Sequence, residues 1–187
     1  MAFEAHPATA ERWSDLVELF DRPVARTCFC MYYRKTGEAT GVGAVNRRAM
    51  QTLVEQGTVP GLIGYDDGVP VAWVSLGPRE AYPKLRRTPV MKPVDERPVW
   101  SIVCFFVDRG ARGRGLAERM LRAAVDYARS RGARLLEAYP VDADAPRDPD
   151  SMFFGAKSMY DRAGFREVAR RRPARPVVRK TLRTRGT

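Results

Sequence analysis

The sequence contains few of the side chains that build metal sites and disulfide frameworks. Among its 187 residues there are one histidine, His6, and three cysteines, Cys28, Cys30 and Cys104. A structural zinc site takes four cysteine or histidine ligands, and the Cys28-x-Cys30 pair has no second pair to complete one. A cysteine nucleophile would lack a histidine partner. We therefore expect no metal, and the odd number of cysteines favours a reducing compartment.

Long apolar runs are also missing. The longest, from Val99 to Val107, has nine residues and is interrupted by Ser101, whereas a membrane-spanning helix needs about 20. The stretch from Met1 to Thr9 has neither a basic start nor an apolar core, so it does not predict a secretory signal. We expect a cytoplasmic protein without a membrane segment.

Positive charge is abundant. The chain has 33 lysines and arginines against 22 acidic residues, which gives a net charge of +11. Residues 169–187 carry eight basic residues and no acidic one. Three explanations stay open: a polyanionic partner, a solvated basic tail, and attraction of an anionic cofactor. A basic nucleic-acid-binding module is an alternative function, although the sequence contains no zinc finger, no RNA-recognition motif and no convincing helix-turn-helix.

The first part of the chain has the hydrophobic period of helices. Thr9 is predicted to cap a helix that ends near Phe20. Its apolar residues share one helical face: Trp13, Leu16, Val17 and Phe20. Asn46 is predicted to cap a second helix, from Arg47 to Gln56.

From Leu62 onward the pattern changes to strands and helices in alternation. Asp67-Gly68 predicts a tight hairpin turn, and Pro70 predicts an edge or a bulge beside it. The stretch from Gly77 to Pro98 holds several prolines and many charges and predicts a long loop. The remaining predicted elements are the strands Leu62–Asp66, Val69–Leu76 and Val99–Val107, the helix Leu116–Arg131, the strand Leu135–Tyr139, the helix Ala156–Arg162, and the strands Phe165–Val168 and Val177–Leu182.

This order predicts an α/β or α+β fold with one mixed sheet. The strand–helix–strand unit from Val99 to Tyr139 should form a right-handed crossover between parallel strands. The length favours a single domain over residues 1–187, with the last strand inside the basic segment 169–187.

The most informative segment runs from Val107 to Ala117. A buried strand ends, a short loop rich in glycine and arginine follows, and a helix begins. Glycines let the backbone approach a ligand closely, and the first amides of a helix have no intrahelical partner. The amides from Gly113 to Ala117 are therefore predicted to converge on a phosphate or pyrophosphate. A Walker loop does not fit, since no Gly-Lys-Ser/Thr follows, and a dinucleotide fingerprint does not fit, since Glu118 stands where its third glycine would be needed.

Two motifs resemble those of the GNAT N-acetyltransferase superfamily. Arg112-x-x-Gly115-x-Ala117, after a strand ending in valine, resembles the family's (Gln/Arg)-x-x-Gly-x-(Gly/Ala) motif. The stretch from Met159 to Phe165, a short helix with a tyrosine followed by Gly-Phe, resembles a later motif of the family. The resemblance covers roughly Leu62 to Val168, a little over half of the chain.

The resemblance implies a mixed, mostly antiparallel sheet that is splayed at a central parallel strand pair, with helices on both faces. It implies acetyl-CoA as acetyl donor, with the pyrophosphate on the loop amides and the pantetheine arm along the end of the central strand. A non-catalytic acyl-CoA sensor with the same fold is an alternative, and a homodimer is expected by analogy only. The cofactor-binding residues implied are Phe105, Phe106, Val107, Arg112, Gly113, Arg114, Gly115, Leu116, Ala117 and Glu118.

The predicted catalytic residues are Tyr160, which the resemblance implies, and Glu137, which is chosen from the carboxylates of the sequence. Tyr160 matches the family tyrosine that protonates the leaving CoA thiolate, and aromatic packing is the other explanation for it. Glu137, on the strand beside the central one, is the best candidate for the general base, and Glu80 and chains of water molecules are the alternatives. A lysine-type amine would need about 4.6 kcal/mol to lose its proton at pH 7, so we also consider an acceptor whose own pKa is lower.

The acceptor amine is expected on the other side of the splay, near the first helices and the hairpin. The stretch from Gly77 to Pro98, which includes Arg79 and Lys84, is predicted to cover the acceptor and to favour an acidic one. The aromatic side chains here could bind an amine or simply form the core. Predicted substrate-site residues are Cys28, Cys30, Tyr33, Trp73 and Ser75, with Phe29 and Tyr32 beside them.

Overall fold

The computed structural model describes residues 2–21, 25–36, 43–142 and 153–183. None of the helices in these ranges is long and apolar enough to cross a membrane. The elements in chain order are β1 (Phe3–Pro7), α1 (Trp13–Phe20), α2 (Gly43–Glu55), β2 (Gly61–Asp66), β3 (Val69–Pro78), α3 (Lys84–Arg87), β4 (Trp100–Val107), α4 (Leu116–Ser130), β5 (Leu135–Ala138), α5 (Lys157–Arg162), β6 (Arg166–Arg172) and β7 (Arg175–Thr181).

The strands form one sheet in the order β1-β2-β3-β4-β5-β7-β6. The pair β4–β5 is parallel, and its strands are joined through α4, while the other neighbours are antiparallel. Parallel neighbours need such a crossover connection. The sheet therefore confirms the predicted mixed, mostly antiparallel fold with a central parallel pair.

Helices cover both faces of the sheet because side chains alternate along its strands. Val74 of β3 packs with Met120 and Leu121 of α4 in one buried cluster. The preceding residue, Trp73, points the other way and packs with the cluster of Phe20 from α1 and Met50 from α2. The prediction of helices on both faces is thus confirmed.

The predicted hairpin between β2 and β3 is present. Asp67 and Gly68 have φ values of 47° and 82°, the left-handed conformation that tight two-residue turns require. Tyr65 pairs with Pro70, and the register shifts between Gly64 and Tyr65. The bulge predicted at Pro70 is therefore confirmed.

The predicted cap at Thr9 was wrong, because its side chain makes no capping hydrogen bond and Arg12 is the residue that precedes α1. Three further features differ from the prediction. The sequence did not predict β1, whose five residues include charged and small side chains that give little strand signal. Asn46 is not a cap, because α2 begins at Gly43 and the buried Asn46 side chain donates to the Thr27 carbonyl at 2.8 Å. The stretch after Gly77 is not an open loop: it contains α3 and buries large apolar side chains, Tyr82, Leu85 and Met91.

The basic C-terminal segment is largely structural in its described part, and residues 184–187 lie outside that part. Arg170 pairs with Asp142 at 2.8 Å and with Glu167 at 2.7 Å. Arg171 donates to the carbonyls of Lys92 and Pro93. Several of the positive charges therefore hold the β6–β7 hairpin to the rest of the fold.

Candidate active site

The parallel pair β4–β5 separates part of the way along its length. The paired residues are Trp100 with Leu136, Ser101 with Glu137, and Ile102 with Ala138. Beyond Ile102, β4 continues to Val107 and remains paired with β3 alone. The side of β4 from Val103 to Val107 that faces β5 thus lacks a strand partner, and we call it the open edge. It offers backbone donors and acceptors to an extended ligand.

The loop after the open edge has the geometry of an anion-binding site. Gly113 and Gly115 have φ values of 78° and 71°, and α4 begins directly afterwards. Within the described residues, the backbone amides of Gly113 and of residues 115–118 donate to no backbone carbonyl. A side chain at either glycine would meet no atom within 4 Å, so the space above the loop is open. A phosphate group fits this arrangement of amides.

The charged side chains of the loop are held by other protein groups. Arg112 Nε donates to the Val107 carbonyl at 3.1 Å. Arg114 pairs with Asp66 at 2.6 Å, and Glu118 pairs with Arg162. The structure therefore places all predicted cofactor residues around one loop and edge, and there the arginine side chains already have protein partners.

Tyr160 is buried on α5 next to the open edge. Its ring lies 6.3 Å from that of Phe105 and 5.2 Å from that of Phe165. Its hydroxyl donates to the Phe154 carbonyl at 2.9 Å. Burial raises the pKa of Tyr160, so the phenol keeps its proton at neutral pH and does not act as a base.

Glu137 lies in a buried ion-pair network instead of at the open edge. One carboxylate oxygen accepts from Arg79 and from the Tyr139 hydroxyl, and the other accepts from Arg179 at 2.7 Å. The side chain is 0% exposed. Because both oxygens are paired and the side chain is fully buried, this geometry argues against Glu137 as the general base. Arg79, predicted to lie over the acceptor, is part of the same buried network.

A cavity of about 440 Å³ adjoins the open edge. Most of the predicted substrate residues line it: Cys28, Cys30, Tyr32, Tyr33 and Trp73. The rest of its wall is formed by Phe20, Ala25, Val103, Cys104, Phe106, Phe153 and Phe154. Ser75 is not part of the wall; its buried hydroxyl contacts the Pro60 carbonyl and the Tyr82 hydroxyl. We call this space the aromatic cavity.

Phe29 packs behind the wall, where its ring lies 5.2 Å from that of Phe20. Sequence reasoning missed Phe153 and Phe154, which come from the segment before α5 and are brought to the cavity only by the fold. No periodic pattern in the sequence marks them, because they form a short turn rather than a helix or strand.

The three cysteines meet in this cavity with different acidities. Hydrogen bonding from the Cys104 thiol is the largest cause that lowers the pKa of Cys30 to about 7, and the positive charge of Arg34 adds to it. Cys104 has a raised pKa because it supplies that hydrogen bond. Burial raises the pKa of Cys28. Cys30 is therefore the most acidic of the three thiols.

We expect alkylation of Cys30 by iodoacetamide to accelerate with pH around a midpoint near 7, because the thiolate is the reactive form. Replacing Cys104 with alanine removes the donor to that thiolate and should move the midpoint upward. Peptide mass spectrometry after timed labelling measures each cysteine separately. Cys28 serves as the internal control, and a Cys30 midpoint at or above that of Cys28 would contradict the assignment.

The family model described as "Acetyltransferase (GNAT) family" matches residues 13–165. A comparison with curated proteins found no significant match. The family match includes the open edge, the glycine loop, the aromatic cavity and Tyr160.

Solved structures show the same fold at low sequence identity. A mosquito arylalkylamine N-acetyltransferase like 5b has a TM-score of 0.60 at 13% identity, covering 97% of this chain and 100% of its own. The putative acetyltransferase yncA from Salmonella typhimurium, solved with its cofactor acetyl-CoA, has a TM-score of 0.58 at 15% identity, covering 100% and 98%. The paia N-acetyltransferase from Thermoplasma acidophilum, in complex with coenzyme A, has a TM-score of 0.54 at 11% identity, covering 97% and 99%.

The splayed strand pair and the loop of free amides suit acetyl-CoA, the donor that this family uses, and the family model spans most of the 187 residues. The chain therefore belongs to the acetyltransferase (GNAT) family and is an acetyl-CoA-dependent N-acetyltransferase.

Proposed function

We propose that the protein transfers the acetyl group directly from acetyl-CoA to a small amine that enters the aromatic cavity. One observation carries this proposal: Val103, Cys104 and Phe106 belong both to the open edge and to the cavity wall. A pantetheine arm along the edge would therefore present its thioester to an amine in the cavity. Holding both reactants in one place accounts for a large part of such a rate enhancement.

The cofactor would be held mainly by backbone groups. The amides of Gly113 and of residues 115–118 would bind the pyrophosphate, and the positive end of the α4 dipole favours that charge. The open edge from Val103 to Val107 would pair with the amides of the pantetheine arm. The acetyl-CoA supplies the activated acyl group, and the chain's own residues orient it.

In the transfer step the amine nitrogen forms a bond to the acetyl carbon while the carbon–sulfur bond breaks. The amine loses a proton to water, and the CoA thiolate gains one. Tyr160 is the proton donor in this proposal, because its ring packs beside Phe105 of the open edge. To reach the thiolate, its hydroxyl would turn away from the Phe154 carbonyl to which it donates. The proton that Tyr160 gives up would return from solvent after the products leave.

No carboxylate among the described residues lines the aromatic cavity, so the acceptor amine would have to enter without its extra proton. Removing the proton from a lysine-type amine at pH 7 costs about 4.6 kcal/mol, whereas removing it from an α-amine or an aromatic amine costs far less. The proposal therefore favours acceptors whose amine has a lowered pKa.

We expect Tyr160→Phe to lower kcat by about 100-fold with little change in KM for acetyl-CoA, because an acid acts only on the leaving thiolate. Steady-state kinetics across pH would measure this. Tyr127→Phe removes a hydroxyl from a tyrosine on α4, away from the open edge, and is the matched control. A kcat for Tyr160→Phe within threefold of the wild type would assign Tyr160 to packing alone.

Release of free CoA thiol with a panel of amines tests the proposed function itself. Thiol release that depends on an added amine, with matching formation of the acetylated product, is the expected result. Saturable binding of acetyl-CoA without turnover of any amine would instead support an acyl-CoA sensor.

A further inference from the structure

The wall of the aromatic cavity is apolar but the charges around it are of one sign. Seven of its twelve lining residues are phenylalanine, tyrosine or tryptophan. Among the described residues the wall contains neither aspartate nor glutamate. A cavity of this kind suits a ligand with a flat apolar body.

Arg175 stands over one of these aromatic residues. Its guanidinium lies 4.2 Å from the centre of the Phe154 ring, and one of its amino groups donates weakly to the Tyr139 carbonyl, at 3.4 Å. Its Nε is buried and has no hydrogen-bond partner within the described part of the chain. Burial lowers the pKa of Arg175, and the charged or ionisable groups that act on it are Tyr33 and Arg172. No described carboxylate pairs with this half-buried cation.

Two further cations, Lys84 and Arg34, lie near residues of the cavity wall. Lys84 Nζ lies 3.6 Å from the centre of the Tyr32 ring. Arg34 donates to the Pro60 carbonyl and to the Tyr82 hydroxyl, and its charge acts on Cys30. Neither forms an ion pair with an acidic side chain of the described ranges. A buried or half-buried cation without a counter-charge is costly, and an anionic ligand would supply the missing charge.

Building on the proposed function, we propose that the acceptor is a small aromatic amine that also carries a carboxylate, which Arg175 binds. The aromatic body would lie among rings such as Trp73 and Phe106, and the carboxylate would face Arg175, with Lys84 adding positive charge at the same cavity. The amine end would then point to the open edge. A guanidinium is the side chain best suited to bind a carboxylate through two parallel hydrogen bonds.

This arrangement disfavours polyamines and lysine side chains. Polyamines carry two or more positive charges, and a lysine side chain carries one without a carboxylate to balance it, so Arg34, Lys84 and Arg175 would repel both. An acceptor with one amine and one carboxylate is neutral while its amine is protonated and is an anion once the amine has lost that proton, so it brings the negative charge that the cavity wall lacks. Arg175 is thus a specificity-determining residue rather than a catalytic one.

Two pairs of amines test the preference, each differing by one carboxylate: phenethylamine with L-phenylalanine, and aniline with 4-aminobenzoate. The kcat/KM values should be at least about 10-fold higher for the carboxylate-bearing member of at least one pair. Arg175→Gln should remove this preference, because it should lower the kcat/KM for the carboxylate-bearing amine about 10- to 100-fold. That is the loss expected for one charged hydrogen-bonded contact. Arg175→Lys keeps the positive charge but cannot form two parallel hydrogen bonds, so its kcat/KM for the carboxylate-bearing amine should lie between those of the wild type and Arg175→Gln.

Arg172→Gln is the matched control, because it removes the same charge from an exposed neighbour of Arg175. It should leave the preference within about threefold of the wild type. Circular dichroism and the thermal midpoint establish that each variant is folded. An equal or better rate with the amines that lack a carboxylate, or a preference unchanged in folded Arg175→Gln, would overturn the proposal.

A binding measurement separates this proposal from the acetyl transfer on which it rests. Phenylacetate should slow the alkylation of Cys30 in the cavity, benzylamine should not, and Arg175→Gln should lose the protection. If phenylacetate protects Cys30 through Arg175 while no amine is acetylated, the transfer to amines fails and the carboxylate site stands. If amines are acetylated but phenylacetate gives no protection, the carboxylate site is overturned and the transferase remains.

Discussion

Gly115→Trp is expected to weaken acetyl-CoA binding by at least 100-fold in isothermal titration calorimetry. The indole would enter the open space above the loop, where the glycine has no neighbour within 4 Å, and would occupy the position of the pyrophosphate. The new side chain would also sit at a φ of 71°, which costs about 1–2 kcal/mol of stability. The loss of binding should therefore far exceed what the strain explains.

Gly132→Trp separates the two effects. Gly132 follows the other end of α4, has a φ of 80°, and likewise has no atom within 4 Å of an added side chain. The same backbone strain is thus introduced at the C-terminal end of α4, far from the free amides at its N-terminal end. Calorimetry should give the wild-type affinity for Gly132→Trp. Equal affinities for the two variants would mean that the loop does not hold the cofactor.

Glu137→Gln should lower the free energy of unfolding by about 3 kcal/mol, because it leaves the Arg79 guanidinium buried without a counter-charge. Arg179 keeps Asp95 as a partner at 2.7 Å, so Arg79 carries most of the penalty. Urea denaturation measures the change. At a temperature where the variant is folded, its kcat should stay within about threefold of the wild type.

Glu167→Gln is the comparison for this change. Glu167 pairs with Arg170 at 2.7 Å on an exposed strand, and surface pairs contribute less than about 1 kcal/mol. A Glu137→Gln variant with wild-type stability and a 100-fold lower kcat would restore the prediction that Glu137 is the base.

The parts of the site that are contiguous in sequence could be predicted from it. The loop around Gly113 and Gly115 and the helix that follows form one continuous segment, so their geometry depends on local backbone preferences. The hairpin at Asp67 was predicted for the same reason. The register of β4 against β5 was not predicted. Only three residue pairs join these strands, and that number, which determines where the open edge begins, depends on how two strands distant in sequence meet.

Residues whose role depends on distant partners were misjudged. In the sequence alone, Glu137 is a carboxylate on a strand and therefore a candidate base. The arginines that pair with it lie far away in the chain, Arg79 58 positions earlier and Arg179 42 positions later, so the sequence does not show the pairing. The same holds for Arg175, which no motif marks and which the β6–β7 hairpin brings to Phe154. In each case tertiary packing, not local pattern, decides whether a charge is a structural partner or a binding group.

The sheet ends in two marginal strands, β1 and β6, and also has an unpaired strand edge in its interior. The marginal strand β6 and the interior edge differ sharply in composition. The marginal strand β6 has five charged residues among seven, a composition that discourages pairing with strands of other molecules. The open edge, residues 103–107, is a run of valine, cysteine and phenylalanine. At the margin of a sheet such a run would promote aggregation. The open edge lies between β4 and β5, inside the sheet and not at its margin. Its backbone groups can therefore bind a narrow ligand, while strands of other molecules have no marginal edge there with which to pair.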